Sequence, residues 1–76
     1  MLDFPILAQV RYESHLREIR ERNGFSQEGL ARQLGVSRQT IVNIERGLNE
    51  PKVLLAIALA AALGVAIADI FRKEQR

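Results

Sequence analysis

The chain has 76 residues, the length of one small domain. Apolar residues make up 47% of it and charged residues 26%, which is typical of a folded globular protein rather than a disordered one. It has no cysteine and a single histidine, His15, so we expect no disulfide, no metal site, no cofactor and no enzyme activity.

The first 13 residues give conflicting signals. Alternate positions are apolar, as in a β-strand, namely Phe4, Ile6, Ala8, Val10 and Tyr12. Leu7 interrupts the alternation, and Pro5 favours a sheet edge or a helix start. We predict a short extended arm or strand over residues 1–13, the alternative being an N-terminal extension of the first helix. No basic region precedes an apolar run here, so we expect no secretory signal and a cytoplasmic protein.

Glycine and serine residues divide the rest of the chain into short helices. In the first helix, Leu16 and Ile19 lie on one face, and we expect this helix to end on a left-handed cap at Gly24. Ser26 and Ser37 are typical N-caps for the second and third helices. These helices are expected to stop at glycines 35 and 47.

The last two helices are predicted from a proline and a glycine. Pro51 suits the first turn of the fourth helix, with Asn49 or Glu50 as its cap, and Gly64 would end it. A short fifth helix is predicted over residues 65–71. The fold class is therefore all-α: a compact five-helix domain over residues 14–71, preceded by the arm and followed by a basic tail over 72–76.

Residues 27–46 predict two short helices that meet at a tight turn. Gly35 supplies a positive φ at the turn, and the small Ala31 lets the second helix pass close by. Apolar side chains fill the angle between the helices: Leu30, Leu34, Val36, Ile41 and Ile44. This is the layout of a helix-turn-helix, whose second helix enters the major groove of DNA.

The outward face of the third helix carries base-reading chemistry. At 3.6 residues per turn, one arc of this helix contains Arg38, Gln39, Val42, Asn43 and Arg46. Amides can bond adenine, arginine can fork onto guanine, and valine can contact the thymine methyl group. A polar face can also be merely solvated, but the tight turn and the two serine caps favour DNA reading.

The segment LREIRERNGFSQEGLARQLGVSRQTIVNIERG resembles the helix-turn-helix of the phage Cro and cI repressor (XRE) family. The similarity runs from Leu16 to Phe71, and it implies five helices and dimeric binding to a palindromic operator. It places Arg38, Gln39 and Asn43 at base-reading positions. It also implies a partly buried salt bridge between Arg20 and Glu45, and contacts with DNA phosphates from Gln27, Ser37, Thr40, Arg46 and Lys52.

Two small departures from the family pattern concern the helix starts. Gly29 replaces the acidic or alanine residue usual at its position, which breaks the capping box of the second helix. Ala66 and Ala68 stand where relatives often carry a serine cap and a glutamate. We therefore expect the N-terminus of the last helix to be less well capped.

The fourth helix is the largest departure, because residues 53–68 contain no charge. One apolar stripe suits the core, formed by Val53, Ala56, Leu59, Ala60 and Leu63. A second stripe lies nearly opposite, formed by Leu54, Ala58 and Ala61, and predicts a dimer or partner interface. An alanine-rich helix chosen for helix propensity alone is the alternative. A membrane span is a poor fit, because about 20 apolar residues are needed and Gly64 interrupts this run.

The sequence thus predicts a homodimeric, sequence-specific double-stranded DNA-binding regulator of transcription, most simply a repressor. The arm could pair with its symmetry mate or with the tail. The alternative is a protein-interaction module, such as an antitoxin, that uses the apolar fourth helix to hold a protein partner.

Overall fold

Helices and two short strands follow one another along the chain in the computed structural model, which describes residue 5 and residues 10–74. The elements are β1 (Tyr12–Ser14), α1 (Leu16–Arg22), α2 (Gln27–Leu34), α3 (Arg38–Glu45), α4 (Val53–Leu63), α5 (Ile67–Ile70) and β2 (Phe71–Lys73). The five predicted helices are present, and β1 confirms in part the extended arm or strand predicted before the first helix, while β2 qualifies the all-α prediction. The predicted arm falls mostly on residues 1–4 and 6–9, outside the described residues.

Serine and glycine mark the helix boundaries as predicted. Ser26 Oγ accepts the Gly29 amide at 2.8 Å, and Ser37 Oγ accepts the Thr40 amide at 3.1 Å. Each serine therefore satisfies one of the free N–H groups at a helix N-terminus. Gly35 has φ +75°, which allows the chain to turn sharply between α2 and α3.

The predicted start of α4 is wrong. The helix begins at Val53, its N-cap is Lys52, and neither Asn49 nor Glu50 caps it. Lys52 keeps an extended backbone, with φ −66° and ψ 158°, so Pro51 precedes the helix rather than lying in its first turn. Lysine has no side-chain acceptor, and this N-terminus accordingly has no side-chain cap.

The predicted fifth helix over residues 65–71 is shorter in the structure. Phe71 already has an extended backbone and opens β2. Asp69 Oδ2 accepts the backbone N–H of Ala66 at 3.0 Å. This bond ties down the first turn, where Ala66 offers no side-chain oxygen of its own.

The two ends of the described chain form an antiparallel pair of strands. Glu13 lies opposite Arg72, and the Glu74 amide donates to the Arg11 carbonyl at 2.9 Å. The Tyr12 and Phe71 rings meet edge to face with centroids 5.8 Å apart. Burial, together with the negative charge of Glu50, raises the pKa of Tyr12. The strands extend across the predicted boundaries between arm and helical domain (13/14) and between helical domain and tail (71/72). The tail therefore pairs with the segment that precedes α1.

The core lies where the five helices converge. Its buried apolar residues are Leu16, Ile19, Leu30, Ala31, Ile41, Ile44, Leu59, Ala60, Leu63 and Ile70. Val53 was predicted to join them, but it is 73% exposed. It begins α4 and lies about 70° from the centre of the buried arc, at 3.6 residues per turn. In the described part of the chain, no helix is long and apolar enough to cross a membrane.

Candidate nucleic-acid interface

The predicted base-reading side chains share the outward face of α3. Ile41 and Ile44 are buried on the opposite side and fix the rotation of the helix against the core. Arg38, Gln39 and Arg46 are therefore exposed, and Val42 and Asn43 are half-buried along the same face. The packing of two isoleucines is what turns these groups toward solvent.

A chain of side-chain hydrogen bonds links α3 to α1 and α2. Arg20 forms an ion pair with Glu45, and its Nη2 donates to Glu45 Oε1 at 3.3 Å. Gln27 Nε2 donates to the same oxygen at 3.1 Å, and Arg38 Nη2 donates to Gln27 Oε1 at 3.1 Å. The negative charge of Glu45 is thus buried and neutralised inside the fold, while the charge of Arg38 remains at the surface.

Polar side chains along α3 are also ordered by bonds to one another. Gln39 Nε2 donates to Asn43 Oδ1 at 2.9 Å, across one helical turn. The hydroxyl groups of Ser37 and Thr40 lie 2.8 Å apart at the start of the helix. The outward face of α3 therefore presents an arranged set of donors and acceptors rather than independent side chains.

A cleft of about 510 Å³ opens between α1 and α3, beside this face. Its lining comprises Arg17, Arg20, Gln27, Val42, Glu45 and Arg46. Because Arg20 and Glu45 neutralise each other, the other charged side chains that line the cleft are Arg17 and Arg46. Polar and cationic side chains beside a helix that could enter the major groove are suited to a DNA phosphate.

Arg17 was not among the predicted site residues. The sequence suggests only a surface pair with an acid, and Arg17 Nε does lie 3.5 Å from Glu21 Oε2. Arg17 precedes Arg20 by three positions, so both lie on one face of α1, and that spacing is the signal that could have found it.

The remaining predicted phosphate contacts lie at the start and after the end of α3. Ser37 is exposed and Thr40 is half-buried at its N-terminal end. The segment 47–52 leads from α3 to α4, and Lys52 at its end is exposed. Within the residues that the structure describes, no group of acidic, histidine or cysteine side chains could hold a metal ion.

Comparison with known proteins identifies this arrangement. The model of the helix-turn-helix family HTH_3 matches residues 16–70, from the first residue of α1 to the last of α5. The chain belongs to this family. Members of the helix-turn-helix family are DNA-binding transcription regulators and not enzymes, which confirms the predicted class and the resemblance to the XRE regulators.

The similarity to individual helix-turn-helix proteins covers most of the chain. An HTH-type transcriptional regulator of Methanocaldococcus jannaschii is 46% identical over 62 residues, 82% of this chain and 94% of that protein. The regulator YgzD of Bacillus subtilis is 38% identical, with 83% and 96% covered. The restriction-modification controller protein C.AhdI of Aeromonas hydrophila is 35% identical with a TM-score of 0.66, over 71% of this chain and 82% of that one.

Proposed function

We propose that the protein is a cytoplasmic transcriptional repressor that binds a palindromic operator as a homodimer, with α3 in the major groove. The observation that carries this proposal is the outward face of α3. It presents two arginines, two amides and a valine, while the side chain of Glu45, the acidic residue of that helix, is buried against Arg20. A repressor of this kind acts by occluding a promoter.

We assign base reading to the side chains at the middle of that face. Arg38 can fork onto guanine O6 and N7, and Gln39 and Asn43 have the groups that bond adenine N6 and N7. Val42 lies between them and can meet a thymine methyl group. Gln27 Oε1 accepts a 3.1 Å hydrogen bond from Arg38 Nη2, and this bond supports a defined position for the guanidinium group.

Phosphate contacts would flank the reading face and fix its position. We assign them to Gln27, Ser37, Thr40, Arg46 and Lys52, and we add Arg17 because it lines the cleft beside Gln27. These groups lie on α1 and α2, on α3, and where the 47–52 segment meets α4. Contacts from several elements would hold the helix in one orientation on the duplex.

Dimerisation is supported by the outward side of α4. Leu54 is 81% exposed and Ile57 is 49% exposed, and they continue into Ala58 and Ala61 at helical spacing. A charge-free face of this kind is uncommon on a monomer, and a second copy of the chain would bury it. Pairing also doubles the number of bases read, at half-sites about 34 Å apart.

In vitro selection from random duplex DNA, at two salt concentrations, tests the proposed function. We expect an inverted repeat with half-sites about one helical turn apart to be enriched at both concentrations. Binding that shows no sequence preference and disappears at the higher salt would reflect phosphate attraction alone and would contradict the proposal.

Arg17→Ala should weaken operator binding without changing which sequence is bound. Loss of one phosphate contact makes the negative slope of log K against log salt shallower by about 0.9. The measurement is operator affinity over a series of salt concentrations, with the selection repeated for the variant.

Arg32→Ala is the matched control for this variant. Arg32 pairs with Glu28 at 3.5 Å across one helical turn, the same spacing and distance as Arg17 with Glu21 in the opposite residue order, but it does not line the cleft. An equal change of slope in both variants would show that Arg17 acts only through net charge.

A further inference from the structure

Two neighbouring side chains on the outward face of α3 are joined to each other. Gln39 Nε2 donates to Asn43 Oδ1 at 2.9 Å. Gln39 is exposed and Asn43 is half-buried, so the bonded pair borders the space that a base edge would occupy. Side chains four positions apart are neighbours on a helix surface, so the bond needs no distortion of α3.

This bond leaves one atom of each amide without a partner in the side-chain pair. It uses one N–H of the Gln39 amino group as donor and one lone pair of Asn43 Oδ1 as acceptor. Gln39 keeps its oxygen Oε1 and its second N–H, and Asn43 keeps its amino group Nδ2. If both side-chain amides were rotated by 180°, Asn43 Nδ2 would donate to Gln39 Oε1 instead. The two atoms left outside the bond would then be Gln39 Nε2 and Asn43 Oδ1, again one donor and one acceptor.

The major-groove edge of a single adenine carries the donor and the acceptor that complement these two atoms. In the major groove it presents the acceptor N7 beside the donor amino group N6. Guanine presents two acceptors, N7 and O6, so the oxygen of the pair would face another oxygen. Cytosine offers a donor, and thymine an acceptor with a methyl group.

We infer that Gln39 and Asn43 read a single adenine as one unit. Gln39 Oε1 accepts from the N6 amino group, and Asn43 Nδ2 donates to N7. This inference rests on the proposed function, because it requires α3 to lie in the major groove.

The bond between the two amides should persist in the complex. In water it is weak, because each amide can bond to solvent instead. At an interface from which water is excluded, an amide that gave up this bond would need another partner. The joint arrangement gives both amides partners from one adenine, whereas independent reading needs suitable bases at two positions.

A double-mutant cycle on the selected operator tests the inference. Gln39→Ala, Asn43→Ala and the combined variant are each measured against operators carrying every base pair at every half-site position. We expect both single variants to lose discrimination against G·C at the same A·T pair, by roughly 5- to 150-fold. We expect the combined variant to lose no more than the more affected single variant.

Gln33→Ala is the control, because it removes an exposed amide from α2 instead of α3. It should leave every base preference unchanged. Losses at two different base pairs that multiply in the combined variant would overturn joint reading and leave the operator-binding function standing. If the wild-type protein selected no sequence, both the inference and the proposed function would be overturned.

Discussion

Arg20→Ala is expected to lower the free energy of unfolding by about 3–5 kcal/mol, the range for breaking a buried ion pair by removing one partner. The side chain of Arg20 is 8% exposed and that of Glu45 is 4% exposed. Arg20 also donates to the Phe25 carbonyl at 2.8 Å. Alanine would leave the carboxylate of Glu45 buried with the amide of Gln27 as its remaining bond. Because small domains have only about 5–15 kcal/mol of stability, much of the fold's margin would be lost.

Chemical denaturation followed by circular dichroism, at one fixed protein concentration, measures this effect. Arg22→Ala changes an exposed arginine of the same helix and should alter the unfolding free energy by less than about 0.5 kcal/mol. Arg20→Met combined with Glu45→Met should recover much of the loss, because no buried charge remains unpaired. An Arg20→Ala variant as stable as the wild type would contradict the structural role of the pair.

The features that depend on a few consecutive residues could be predicted from the sequence. A serine cap bonds to an amide three positions later, and Gly35 is needed where the backbone turns left-handed. The set of residues on the outward face of α3 follows equally from local spacing, since a helix repeats every 3.6 residues. These signals require no knowledge of the rest of the fold.

The features that depend on distant residues could not be predicted in the same way. The pairing of Ser14 with Phe71 joins positions far apart in the chain. The sequence therefore offered the tail only as one of two possible partners for the arm, and the three residues of β2 are too short a pattern to predict a strand. The cleft at Arg17 exists because α1 packs beside α3. Val53 and Ile57 look like core residues by type, yet 73% and 49% of their surfaces are exposed. Only the packing of α4 against its neighbours decides which of its apolar sides is covered.

Leu54→Asp is expected to convert the protein to a monomer. Leu54 is 81% exposed in the single chain, so a dimer built on this face would bury it in both copies. Losing a buried leucine costs about 1.5–3 kcal/mol, hence about 3–6 kcal/mol for the two copies, which is two to four powers of ten in the dissociation constant. The aspartate charges would add an unfavourable desolvation term. Sedimentation equilibrium over a range of concentrations measures the change.

Leu48→Asp is the matched control for oligomeric state. Leu48 is also an exposed leucine, at 60%, but it lies in the segment between α3 and α4. The same charge introduced there should leave the dissociation constant of the dimer unchanged. Both sites are on the surface, so circular dichroism should show a folded chain in each case. A Leu54→Asp variant that stayed dimeric would place the interface elsewhere.

DNA binding by the Leu54→Asp variant separates the two roles of the chain. Each monomer keeps α3 and the proposed phosphate-contacting residues, so weak binding to a single half-site should persist. The preference for an inverted repeat over a single half-site should disappear, because the second half-site no longer receives a tethered partner. If the wild-type protein were itself monomeric, the homodimer would be contradicted. The exposed face of α4 would then favour the interaction module, whose apolar surface holds a different protein.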